Sequence, residues 1–170
     1  MIDIYEKQTE IVILQDIELF GFKIKALLER TAARDLYDVF NMIDVELFKR
    51  EELNLLRKSV LFYIALAQNK SRTYSPEKID KIDFMQIKAE LLPVLQRGTY
   101  FELDTIKKTV KEFITNLMQL TVEEEKFLSE FKTGNYFPEL LFSDEKILER
   151  IKKHPMALWR VGNGQESNRE

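Results

Sequence analysis

The chain has 170 residues, 45% of them hydrophobic and 32% charged, with a formal net charge of −3. It can therefore bury a core and keep a solvated surface, and its near-neutral balance argues against a broad nucleic-acid face, which needs a basic excess, while allowing a local basic pocket. With no cysteine and one histidine, disulfides, zinc thiolates, cysteine nucleophiles and His-rich metal sites are excluded.

No apolar run approaches the ~20 residues of a membrane span, and the opening Met1-Ile2-Asp3-Ile4-Tyr5-Glu6-Lys7 is unlike a signal peptide. The expectation is a cytoplasmic chain without a membrane partner. Five glycines and four prolines leave room for long helices and short connections.

In chain order, Ile2-Asp3-Ile4 and Ile11-Val12-Ile13-Leu14 read as short strands. Two strands alone are marginal in water, so residues 1–15 are expected to be the residual edge of a larger sheet. Residues 16–160 read as a helical domain. Asp16 is expected to cap a helix to Arg30 with Ile17, Phe20, Ile24, Leu27 and Leu28 inward. A second helix begins near Ala33 with Leu36, Phe40 and Ile43 inward, and Asp44 opens a third. Glu51 to Gln68 is a long helix whose second half is apolar on nearly every side, the mark of a central helix.

Lys70 to Asp83 reads as a loop, and Phe84 to Leu92 as a short helix that Pro93 ends or kinks. Gly98 marks a connection. Asp104 is expected to cap a helix through Leu120, and Thr121 with Glu124 forms a capping box before a helix to Lys132. Gly134 to Pro138 turns the chain. Ser143 caps the last helix, which Pro155 stops, and residues 161–170 are expected to be a disordered tail. The fold class is thus mostly α, a helical bundle with a short β element at its N-terminus.

The densest cluster of charge runs from Lys23 to Asp38. Lys23 and Arg30 lie two turns apart on one side of the first helix, beside the apolar stripe, and Arg34 would continue the row if the helix ran on. Like charges so spaced repel, so Asp35, Asp38 or a bound phosphate should compensate. Two readings stand at this point: ion pairs that lock two helices together, or cations, carboxylates and the Tyr37 phenol grouped around a nucleotide.

The pattern Lys23-x-x-Ala26-Leu27-x-x-Arg30-x-x-x-Arg34-Asp35-x-x-Asp38 resembles the signature of the AbiEii/AbiGii nucleotidyltransferase toxin family. Tyr136-Phe137-Pro138-Glu139-Leu140-Leu141-Phe142 and His154-Pro155-Met156-Ala157-Leu158-Trp159 are similar to that family's C-terminal region. The resemblance implies the C-terminal part of a DNA polymerase β-like nucleotidyltransferase, acting as the toxin of a toxin–antitoxin or abortive-infection system that defends against phage. It implies a nucleoside triphosphate and Mg2+ in the intact enzyme, an RNA such as tRNA as substrate, and an antitoxin as a protein partner.

Carried over by residue, Lys23 would contact triphosphate and serve catalysis, Asp35 would be the acidic active-site residue, and Arg30 and Arg34 would bind phosphate. Asp38 would hold the arginines, with Tyr37 in support. The family's Gly-Ser turn and Asp-x-Asp pair, which hold Mg2+, have no counterpart before Lys23. The expectation is therefore a truncated or split form, or a start at an internal Met1. Alone it would bind neither cofactor and lack activity, and it would pair with a separate N-terminal half or with itself. The alternative is a non-catalytic helical module that binds an antitoxin, an RNA or that half.

Elsewhere, His154 is expected to be structural at a helix end and Trp159 to anchor packing. Tyr136 to Phe142 reads as a buried turn. Lys107, Lys108 and Lys111 read as a solvated basic face, and Glu123-Glu124-Glu125 as first-turn acids favoured by the helix dipole.

Overall fold

A computed structural model describes residues 15–67, 74–95 and 102–166, with side chains through Gly162. Every regular element among them is helical. The strands expected before Gln15 and the connection at Gly98 lie outside the described residues.

The first helix, α1 (Asp16–Arg30), buries Ile24, Leu27 and Leu28 completely, with Ile17 and Phe20 at the core's margin. Asp16 lies in its first turn, where its charge favours the helix dipole, and gives no cap; Gln15 is the residue before the helix. Thr31 ends it in a left-handed conformation, φ 52°, with its N–H on the Leu27 carbonyl. That break starts α2 (Ala33–Asp44) on a new axis, and α2 buries Leu36, Val39 and Met42. Asp44 closes α2 rather than opening a helix; the next, α3 (Leu53–Ala67), starts after an irregular stretch.

The expected central helix is borne out. α3 packs most extensively on α1 and serves two cores. Leu56, Val60 and Ile64, spaced four apart, face α1, α2 and α5 (Leu103–Leu117). Leu61, Phe62, Ala65 and Leu66 face α6 (Val122–Lys132), α7 (Glu145–Lys152) and α8 (Pro155–Glu166). α1 approaches α3 closely at Gly21, where an added Cβ would lie 2.2 Å from the Ser59 hydroxyl oxygen.

The expected loop before Asp83 holds a 3-10 turn, Pro76–Lys81, and Ile79 and Ile82 there are fully buried. A short helix, α4 (Phe84–Gln86), opens with a capping box from Asp83 and widens into a π turn at Ile87–Leu91. Pro93 follows in a 3-10 turn, in keeping with an expected kink. α5 is preceded by Glu102, with Asp104 inside its first turn, and ends at Leu117 rather than Leu120.

The Thr121–Glu124 capping box and the end of α6 at Lys132 are as expected, and Gly134 turns the chain at φ 91°. Asp144, not Ser143, caps α7. α7 ends just before Pro155, as expected, and Pro155 also starts a further helix, α8, because proline lacks only an N–H that the first turn leaves unbonded. α8 carries helix through Glu166, into the stretch expected to be tail; residues 167–170 lie outside the described residues. No helix among the described residues is long and apolar enough to cross a membrane.

Candidate functional site

The Lys23–Asp38 segment spans the joint between α1 and α2, and the Thr31 break decides its geometry. Had α1 continued, Arg34 would extend the row of Lys23 and Arg30. Instead the turn at Thr31 brings the acids of α2 back over the last turns of α1. Arg30 donates from Nε to one Asp35 oxygen at 2.6 Å and from Nη2 to the other at 2.8 Å. Lys23 Nζ donates to Asp38 at 2.5 Å. Lys23 and Arg30 thus each take one carboxylate of α2.

The two partners of the Arg30 pair differ in exposure. The Asp35 side chain is 6% exposed and the Arg30 side chain 63%. The carboxylate sits under the joint while the guanidinium reaches solvent, and the Asp35 hydrogen bond raises the already high pKa of Arg30. Both Asp35 oxygens are thus engaged by the one guanidinium.

Arg34 does not join the row. Its Nε donates to the Glu90 carbonyl at 2.7 Å, and the Glu90 carboxylate accepts the Ala33 N–H at 3.3 Å. Glu90 therefore satisfies a donor at the start of α2 and pins Arg34 against the π turn. Asp38 holds Lys23, not the arginines, which is a correction to its expected role. Tyr37 lies half-buried against the main core. Lys25, on the same helix, is buried, paired with Glu29 one turn on, and stacked over Phe22.

The structure thus pairs Lys23 with Asp38 and Arg30 with Asp35, and takes Arg34 away. Of the two readings, the interlocking of two helices by ion pairs is realised, with one guanidinium left presented outward. Glu90 had no sequence signal, being 57 residues from the amide it accepts. Among the described residues, no group of three or more His, Asp or Glu is placed to hold a metal ion. The residues present do not fit Mg2+; the outward face of Arg30 fits a phosphate oxygen, because guanidinium donors match its geometry.

Other expectations resolve around α3. Glu124, expected as a cap, accepts both Thr121 N–H and the Nε of Arg57 while buried to 1%. Lys107 and Lys111 are not a free basic face: both donate to Asp80, Lys107 to its carbonyl and Lys111 to its carboxylate. Trp159 is exposed on α8 with Arg160 over its ring, so it anchors no packing. In the turn before α7, Pro138 and Phe142 are buried and Tyr136 donates to the Ile151 carbonyl, whereas Phe137 is exposed. Comparison of the chain with protein-family models, curated proteins and solved structures finds no match.

Proposed function

We propose that this chain is the helical part of a nucleotidyltransferase of the AbiEii/AbiGii toxin type, and that it contributes phosphate contacts rather than metal chemistry. The observation that carries the reading is the Arg30–Asp35 pair. A buried carboxylate grips two donors of the guanidinium and leaves the outer edge turned to solvent, the arrangement that holds an arginine ready for a phosphate. Lys23, two turns earlier on the same side, adds a second cation that a phosphate can draw from Asp38.

Transfer of a nucleotidyl group needs charge neutralisation at the triphosphate, and the Mg2+ that supplies it in this family calls for a carboxylate pair from outside the described residues. The test is label transfer from an α-labelled triphosphate to RNA in Mg2+, by the chain alone and fused to a nucleotidyltransferase segment bearing such a pair. The reading expects transfer by the fusion only, abolished by Lys23→Ala. A fusion that transfers nothing, or transfers equally well after that substitution, contradicts it.

A second reading, a non-catalytic module that pairs with an antitoxin, an RNA or a separate N-terminal half, draws on a different feature. Phe84 and Met85 are 60% and 68% exposed on α4, in the same stretch as Glu90. Monodisperse monomers by light scattering, unchanged by Phe84→Ser, would count against it, because exposed apolar patches mark contacts.

A further inference from the structure

We infer that a cavity between α1, α3 and α7 binds a flat, uncharged aromatic or heteroaromatic molecule of one or two rings. The cavity measures about 290 Å³. A dry cavity of about 150 Å³ holds benzene, so this one takes a fused two-ring system with its edge toward the opening. Its walls carry the rings of Phe62, Tyr63, Phe142 and His154. They already meet edge to face: Phe62 lies 5.2 Å from His154 at 88° and 6.5 Å from Phe142 at 76°. Aromatic rings favour that arrangement, and an inserted ring finds the same contacts.

Charge at the cavity sets the ligand's class. Glu18 of α1 and Arg150 of α7 pair at its rim and cancel. Burial lowers the pKa of His154, the largest effect on it, which favours the neutral ring. An ionised ligand would lose its water without meeting a net opposite charge.

The cavity is distinct from the Arg30 edge. Glu18 and Arg30 stand twelve residues apart on one helix, roughly 18 Å along its axis. The inference therefore stands apart from the proposed phosphate contact.

The experiment is an NMR titration of the full chain with indole, read at the imidazole Hε1 of His154, which is unambiguous because the chain has one histidine. Saturable movement with a dissociation constant of about 1 mM or below is expected, at least about tenfold weaker for tryptamine and indole-3-carboxylate. Ile147→Trp and Leu55→Phe, which fill the cavity, should each abolish saturation at an unchanged melting temperature. Should either variant melt early, the charged comparators carry the test on the wild-type chain. A His154 signal that does not move, charged analogues that bind as well as indole, or binding that survives both filled variants would overturn the inference.

Discussion

Arg30 and Asp35 form a two-bond clamp across a helix break, with the acid buried and the base in solvent. The left-handed Thr31 makes the clamp, because only a chain that turns there brings Asp35 under Arg30. A β-branched residue in that region is uncommon and strained, so the joint is held by its ion pairs against a local backbone cost.

The clamp is measurable. Arg30→Ala strands the Asp35 carboxylate and should destabilise the fold by about 1–3 kcal/mol in urea unfolding. Arg30→Ala with Asp35→Ala should cost less than the sum of the two single changes, by about 1 kcal/mol. Strict additivity would show that the pair is geometric only.

A second clamp ties α3 to α6. Glu124 combines a capping box with acceptance by both its oxygens from the single Nε of Arg57, whose side chain is 17% exposed against 1% for Glu124. Glu124→Ala leaves Arg57 nearly buried without its carboxylate, with only the Asn54 oxygen still accepting from it, and should cost about 3–5 kcal/mol. Thr121→Ala removes only the reciprocal cap and should cost about 1 kcal/mol. Equal losses from the two changes in thermal melts would mean that Arg57 contributes nothing.

These two clamps show how much of the molecule was legible in sequence. Local signals held: the Thr121–Glu124 box, the end of α6, the apolar stripe of α1 and the all-round apolar surface of α3. Charges near helix ends mislead, because Asp16 is the first residue of α1 and Asp104 the second of α5, and both act through the dipole instead of as caps. Pro155 reads as a stop, and α7 does end before it, yet proline equally opens a helix, and α8 begins at it. The site was half legible. Its residues lie within sixteen positions, but their pairing depends on one backbone turn at Thr31, a residue whose type gives no sign of a left-handed conformation. Arg34's partner, Arg57's partner and the Glu18–Arg150 pair lie 56, 67 and 132 residues away. No local pattern reports contacts of that separation.

The α1–α3 crossing yields a third prediction. Alanine favours a helix by about 1 kcal/mol over glycine, yet Gly21→Ala should destabilise by about 1–3 kcal/mol, because its Cβ would meet Ser59 Oγ at 2.2 Å and Cβ at 2.8 Å. Adding Ser59→Gly should relieve the clash and restore part of the loss, glycine within α3 itself costing about 1 kcal/mol. A more stable Gly21→Ala would mean that the helices separate without cost.

Protonation supplies a fourth. Burial depresses the His154 pKa in the folded chain below its ordinary value of about 6.5. The unfolded chain therefore takes up the proton first as pH falls. The stability from a neutral His154 is full above that ordinary value and is lost as pH drops through the folded one. Urea midpoints should decline over that window in the wild-type chain, beyond any decline in His154→Phe. Parallel curves would place His154 in water.

Calorimetric titration with inorganic tripolyphosphate in Mg2+-free buffer tests most directly whether the outward edge of Arg30 is a phosphate contact. Saturable binding is predicted, weakened about tenfold or more by Arg30→Ala and by Lys23→Ala, each loss that of one charge-assisted contact, and unaffected by Arg34→Ala. Absence of saturable binding, or binding that both Arg30→Ala and Lys23→Ala leave intact, would contradict it and reduce the clamp to a joint between two helices.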